Sequence, residues 1–189
     1  RALGLKGYHD LKIRLAQDLV PDEKNIHEDV GPGDDAATLC RKVLNANALA
    51  IQDSLETLEP AQVERAVRLL ARANHIEFIG FGGSAPVAMD AYHKFFRLGI
   101  PCGWQDDPHM QAMAASLMAP RSIVVAISHS GSSKDIVETL EIAKRAGAAT
   151  IAIVSHRKSP VATIADVALC VRTRETGFKP EPMSSRIAH

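Results

Sequence analysis

The spacing of apolar residues predicts a helical first part of the chain and an alternating second part. Leucines recur at every fourth position over 8–19, which is the stripe of an amphipathic helix. Similar stripes predict a long helix over about 36–58 and a second helix from 60 to about 74. Two prolines and two glycines stand among acidic residues over 20–35, a composition typical of a linker.

After residue 74 the pattern changes to short apolar runs separated by helical stretches. The predicted strands are 76–81, 100–104, 121–127, 149–154 and 167–171. The predicted helices between them are about 85–98, 108–118, 133–146 and 160–165. Because strands alternate with helices, we predict an α/β fold, a three-layer αβα sandwich preceded by helices. Its five-stranded parallel sheet is expected to have the flavodoxin-like order 2-1-3-4-5.

Length, composition and charge narrow the class of protein. The 189 residues suffice for one domain with extra helices, and 46% of them are apolar, which supports a packed core. Aromatic residues make up only 4%, which disfavours a stacking platform for single-stranded nucleic acid. The net charge is zero, so whole-chain charge supports neither nucleic-acid nor membrane binding. No signal peptide or long apolar run is present, which predicts a soluble, cytoplasmic protein.

The three cysteines Cys40, Cys102 and Cys170 stand far apart in the sequence. No CxxC pair occurs among them, so neither a zinc site nor a disulfide framework is indicated. We expect buried, reduced thiols and no cofactor or metal.

A first glycine-rich loop, GFGGSAP over 80–86, follows the first predicted strand and opens a helix. Glycines such as Gly82 and Gly83 let the backbone approach a ligand closely, and Ser84 stands at the N-cap position. The spacing lacks the third glycine of a dinucleotide fingerprint. A tight strand-to-helix turn without a ligand is the alternative interpretation.

A second loop, SHSGSSKD over 128–135, follows the third strand and opens another helix. Free N–H groups and the helix dipole make such a helix start a ready anion site. Hydroxyls at Ser128, Ser130 and Ser133 can donate hydrogen bonds to phosphate oxygens. Lys134 either adds a charge or faces solvent.

The predicted topology brings the two loops together, because ligands of a 2-1-3-4-5 sheet bind in the crevice where strands one and three part. The candidate ligand-binding residues are Gly82, Gly83, Ser84, Ser128, Ser130, Gly131, Ser132 and Ser133.

The segments GFGGSAPVAMDAYHKFF and AISHSGSSKDIVETLEIAKRAGA resemble the two signatures of the SIS (sugar isomerase) domain. The resemblance covers roughly residues 60–189. It implies a five-stranded sandwich that binds phosphosugars, with Ser84, Ser128, Ser130 and Ser133 as phosphate and sugar ligands.

The segment RALGLKGYHDLKIRLAQDL resembles the end of the helix-turn-helix domain in RpiR-type transcriptional regulators. The segment DAYHKFFRLGIP is similar to the HexR branch of these regulators, which senses 2-keto-3-deoxy-6-phosphogluconate. The resemblance implies a helix-turn-helix remnant over 1–20, a linker over 21–35 and an SIS domain over 36–189 whose last helix is truncated. Arg1 and Lys6 are then the candidate DNA contacts, although the fragment is not expected to read DNA alone.

Several single residues keep two interpretations open. His109 is either a ligand contact or an ordinary residue at a helix start, and His93 either reaches the pocket or packs on the sheet. Glu181 and Ser184 lie in a region that completes the pocket in this family, or at a plain helix N-terminus. His129 is expected to face away from the pocket serines, towards a subunit contact. We expect Phe95 and Phe96 in the core.

The favoured function is a sensor, in which a phosphorylated sugar or sugar acid biases a homodimer or tetramer that carries DNA-binding domains. No membrane partner is expected. The alternatives are a phosphosugar aldose–ketose isomerase, with His93, His109 or Glu181 as general base, and a plain interaction domain, which leaves the serine-rich loops unexplained.

Overall fold

Two helices precede the sheet in the computed structural model, which describes residues 31–173 and 185–189. Helix α1 is Ala36–Thr57 and helix α2 is Pro60–Leu70. Both were predicted, and α2 ends at Leu70 rather than at residue 74. Asp35 caps α1, since its Oδ1 accepts a hydrogen bond from the Thr38 N–H at 2.8 Å.

The five strands are β1 (His75–Gly80), β2 (Cys102–Gln105), β3 (Ser122–Ser128), β4 (Ala149–Val154) and β5 (Val167–Cys170). They pair in parallel in the order β2-β1-β3-β4-β5, which confirms the predicted sheet. The helices between them are α3 (Ala85–Arg97), α4 (Pro108–Ser116), α5 (Lys134–Arg145) and α6 (Pro160–Ile164), and α7 (Ser185–Ala188) follows the sheet.

Strand β3 lies in the middle of the sheet and is buried along its whole length. On one face Val124 and Ala126 pack with Ile136 of α5. On the other face Phe78 and Ile127 pack with residues of α2 and α3. Because both faces are covered, the β3 sequence is a nearly continuous apolar run rather than an alternating one. The three-layer architecture is therefore confirmed.

Helix α1 is attached to the sandwich near its C-terminal end. The Thr57 hydroxyl donates to the Cys170 carbonyl at 2.9 Å, and the Ser54 hydroxyl accepts from the Arg172 N–H at 3.1 Å. Neither α1 nor any other helix in the described part of the chain is long and apolar enough to cross a membrane. Four large apolar side chains of α1 are exposed, namely Leu39 (40%), Leu44 (68%), Ile51 (48%) and Leu55 (79%).

Two core predictions are wrong in part. The Phe95 ring lies 5.3 Å from the Phe78 ring in the core, but Phe96 is 59% exposed. Neighbours on a helix point about 100° apart, so an apolar pair rarely buries both members against one sheet. Cys170 is buried as expected, whereas Cys40 is exposed on α1.

Candidate functional site

The first loop leaves β1 at Gly80 and forms a single 3₁₀ turn over Gly82–Ser84 before α3 begins. A Cβ at Gly80 would lie 2.9 Å from the Ser84 carbonyl oxygen and 3.3 Å from the Ile127 carbonyl oxygen, so only glycine fits here. Ser84 is buried and precedes α3 as predicted, but its side chain makes no capping hydrogen bond to the helix. Its hydroxyl is therefore not committed to the helix end.

The second loop begins at Ser128, the last residue of β3, whose side chain is buried. The Ser128 Oγ accepts a hydrogen bond from the Gly131 N–H at 3.2 Å, and the Ser130 Oγ accepts from the Ser132 N–H at 3.3 Å. A serine oxygen that accepts from an amide keeps its own O–H to donate. These two hydroxyls can therefore order the loop and still donate to a ligand oxygen.

Helix α5 starts directly behind this loop, with Ser133 at its N-cap position. The Ser133 side chain makes no capping hydrogen bond, so it leaves the N–H groups of the first turn to other acceptors. Lys134 is exposed, in line with its interpretation as a solvent-facing residue. A helix start of this kind favours an anion through its N–H groups and its dipole.

The two loops leave the same edge of the sheet side by side. Gly80 pairs with Ile127, so the chain enters both loops at neighbouring positions of β1 and β3. Because β2 lies beyond β1 and β4 lies beyond β3, the loops flank the point where the strand order reverses. The structure thus brings the loops of Ser84 and Ser128 to one edge of the sheet, as predicted, and a shared pocket with these serines as ligands stays a prediction.

Gln111 holds the start of the glycine loop by a hydrogen bond, a role that no sequence pattern indicated. This α4 residue is fully buried, and its Nε2 donates to the Gly80 carbonyl at 3.2 Å and to the Gln105 carbonyl at 2.8 Å. It therefore joins α4 to the carboxyl ends of β1 and β2. Its Oε1 is buried without a hydrogen-bond partner.

Three histidines meet beside the serine loop, a cluster that the sequence analysis also missed. The Ser155 hydroxyl lies 3.0 Å from Nδ1 of His129 and 3.2 Å from Nε2 of His189. The His129 ring lies 6.0 Å from the rings of both His156 and His189. Burial, together with the nearby His129, lowers the pKa of His189 to about 4. His129 thus contacts side chains of its own chain, and the expected subunit contact stays a prediction.

The remaining candidates are dispersed. His109 is exposed in the first turn of α4, and His93 is exposed on α3 rather than packed on the sheet. Among residues 31–173 and 185–189, no group of three or more histidine, cysteine or acidic side chains is placed to hold a metal ion. Four further candidates lie outside the described residues: Arg1, Lys6, Glu181 and Ser184.

Comparison with known sequences finds a family model and longer relatives that match the chain. The SIS domain model matches residues 69–187. An HTH-type transcriptional regulator of Caldanaerobacter subterraneus subsp. tengcongensis is 37% identical over 188 residues, which cover 100% of this chain and 67% of the regulator. The bifunctional protein glk of Paraburkholderia xenovorans is 41% identical over 189 residues, which cover 100% of this chain and 30% of that protein.

Solved structures with the same fold include a protein in complex with ManNAc-6P and the sugar isomerase domain of a transcription factor. Vibrio vulnificus NanR complexed with ManNAc-6P has a TM-score of 0.79 at 23% identity, over 100% of this chain and 66% of that one. The sugar isomerase domain of the RpiR transcription factor from Sphaerobacter thermophilus has a TM-score of 0.72 at 26% identity, over 79% of this chain and 84% of that one.

Proposed function

This chain belongs to the SIS domain family, and from that premise we propose that it is the phosphosugar-binding effector domain of an RpiR-like transcriptional regulator. The observation that carries the proposal is the pair of loops around Ser84 and Ser128 at the reversal point of the sheet. Support for the regulatory role comes from the HTH-type regulators that match the whole chain at 37–38% identity.

The loops suit a phosphate group that is bound without a neutralising lysine or arginine. The hydroxyls of Ser84, Ser128, Ser130 and Ser133 supply neutral donors, and the start of α5 supplies N–H groups and a favourable dipole. A hydrogen bond to a charged group contributes roughly 1.5–3 kcal/mol. Several such bonds suffice for tight binding of a sugar phosphate, with the sugar hydroxyls turned towards the rest of the crevice.

The effector that we propose is 2-keto-3-deoxy-6-phosphogluconate, on the resemblance of the α3 segment to the HexR branch. The NanR structure, whose bound ligand is the sugar phosphate ManNAc-6P, supports the wider class. A sugar acid adds a carboxylate to the phosphate, so it needs a second polar contact. Glu181, Ser184 and His109 stay candidates for completing the pocket.

We propose further that the effector acts through subunit arrangement. The exposed apolar side chains Leu44, Ile51 and Leu55 lie on α1, which joins the sandwich to the residues before it. Packing of two such helices would form a homodimer or tetramer. Residues 1–20, with Arg1 and Lys6, would then belong to the DNA-binding part and 21–35 to the linker, ahead of the SIS domain over 36–189.

The test is thermal stabilisation of the chain by a panel of compounds. The panel holds 2-keto-3-deoxy-6-phosphogluconate, 6-phosphogluconate, glucose-6-phosphate, N-acetylmannosamine-6-phosphate and the free sugars. A ligand that binds only the folded state raises the melting temperature by mass action. We expect a shift from one phosphorylated compound and none from its free sugar, with the compound unchanged on recovery. Conversion of the compound would instead support the isomerase, and absence of any shift would overturn the proposed pocket.

A further inference from the structure

A second cavity, of about 410 Å³, opens at the edge of the sheet opposite the serine loops. It lies between α2 and the amino ends of β3 and β4, with Ser122 and Ala149 in its lining. Strand β3 runs from Ser122 to Ser128, and strands rise about 3.3 Å per residue. The two sites are therefore separated by roughly 20 Å of sheet.

Four arginines line this cavity: Arg65, Arg68, Arg72 and Arg121. Arg65 and Arg68 lie one turn apart on α2, and Arg72 follows in the turn just beyond the end of that helix, so the three charges line the same side of the cavity. No carboxylate lines the cavity. Glu64 reaches Arg68 at 3.4 Å from outside it. In a chain whose net charge is zero, this is a local excess of positive charge.

Arg121 is held in an unusual way at the rim. Its φ is 74°, and no other non-glycine residue in the described segments has a positive φ. Nε and Nη2 of its guanidinium both donate to the Arg72 carbonyl at 3.3 Å, and the Asn74 N–H donates to the Arg121 carbonyl at 3.1 Å. Glycine adopts this backbone without steric cost, whereas arginine does not. The exposed guanidinium is thus hydrogen-bonded to the Arg72 backbone, and its other N–H groups can still donate to a ligand.

We propose that this cavity binds a nucleoside polyphosphate, with the phosphate chain on the arginines and the base on the aliphatic floor of Leu69, Ile123 and Ala149. Guanidinium groups match phosphate oxygens in a bidentate manner and remain charged at every physiological pH. Two adjacent phosphoryl groups carry about the charge that four arginines neutralise. The volume lies in the usual range for small-molecule sites, and a concave site fits a compact ligand better than the convex backbone of duplex DNA.

The experiment is calorimetric titration of the chain with inorganic pyrophosphate and with ATP, without divalent metal. The test variant is Arg65→Gln/Arg72→Gln. The matched control is Arg41→Gln/Arg97→Gln, which removes the same charge from exposed positions on α1 and α3. We expect saturable binding of one equivalent, weakened about tenfold or more in the test variant and unchanged in the control. Arg121→Gly, which suits the left-handed turn, should weaken binding as well.

A further variant separates this site from the serine loops. Pyrophosphate could also occupy the phosphosugar pocket, so the titration is repeated in Ser84→Ala/Ser128→Ala, where the proposal expects full binding. Loss of binding in that variant would assign the anion to the serine pocket and overturn the second site. The second site would also be overturned if the test variant and the control variant lost affinity equally, or if binding did not saturate. Displacement of ATP by a 20-base-pair DNA duplex would overturn it as well.

Discussion

Gly131 packs directly against Ser159, so closely that a Cβ at position 131 would overlap the Ser159 side chain. The Gly131 carbonyl also accepts a hydrogen bond from the Val161 N–H at 2.9 Å, and its N–H donates to Ser128. This one glycine therefore joins the serine loop to the connection between β4 and α6. The shape of the serine loop depends on a contact with a segment that lies almost thirty residues further along the chain.

Replacing Gly131 by alanine is expected to destabilise the chain more than the same change at Gly99. Both residues have a left-handed backbone, with φ of 63° and 73°, but a Cβ at Gly99 meets nothing within 4 Å. Gly99→Ala should therefore lower the free energy of unfolding only by the cost of the left-handed backbone. Gly131→Ala should lower it by about 1–3 kcal/mol more, because the added Cβ overpacks the contact with Ser159. Urea unfolding of the two variants measures the difference. Equal losses would mean that the Ser159 contact relaxes freely.

Ser84→Ala should weaken phosphosugar binding about tenfold or more while leaving the free chain as stable as before. The reason is that the Ser84 side chain makes no capping hydrogen bond that folding would lose. Ser116→Ala, at an exposed position at the end of α4, is the matched control. Affinity is measured by titration with the compound found in the panel. Unchanged affinity in Ser84→Ala would remove this hydroxyl from the ligand set.

Gln111→Met is expected to lower the free energy of unfolding by about 1–3 kcal/mol, because the carbonyls of Gly80 and Gln105 lose their side-chain donor. Methionine keeps the length of the side chain, so packing is largely preserved. Gln52→Met, at an exposed position of α1, is the control. A variant as stable as the parent would show that removal of the unpaired Oε1 offsets the lost bonds.

Glu77→Gln should become relatively more stable as the pH rises. Glu77 is 4% exposed within the sheet, its Oε1 has no partner, and its Oε2 lies 3.1 Å from His75 Nε2. Burial raises the pKa of Glu77, against the smaller opposing effect of His75. The folded state therefore favours the protonated acid. The resulting contribution to stability is complete below the ordinary pKa of glutamate and is lost as the pH rises through the raised pKa.

The measurement is urea unfolding of Glu77→Gln and the parent at pH 4, 6 and 8, with Glu64→Gln on the exposed face of α2 as control. We expect the free energy of unfolding of Glu77→Gln to rise relative to that of the parent with increasing pH. A difference that is constant across this range would contradict the raised pKa.

His189 gives a pH dependence of the opposite sign. Because its pKa is lowered to about 4, the folded state favours the neutral ring. The stabilisation is complete above the ordinary histidine pKa of about 6.5 and is lost as the pH falls towards 4. Comparing melting temperatures at pH 7.5 and pH 4.5, we expect a smaller drop in His189→Gln than in the parent. The melting temperature of His109→Gln, a change at an exposed position, should fall by as much as that of the parent. An equal fall in all three proteins would exclude a contribution of His189 to the pH dependence.

The sequence by itself determined the layers and their order. Apolar runs such as that of β3 and the stripes of the helices depend on local periodicity, which a single chain displays directly. The strand order 2-1-3-4-5 followed, because short right-handed crossovers leave few arrangements. This order by itself places the loops of Ser84 and Ser128 at one edge of the sheet.

Only the tertiary structure decided which polar side chains meet. Gln111 reaches Gly80, and His129 meets His189 across Ser155, over separations for which local periodicity carries no information. The cavity between α2 and Arg121 likewise depends on how a helix lies over strand ends. Such contacts arise because packing fixes side-chain distances between elements, whereas residue pattern fixes only which face of each element is buried.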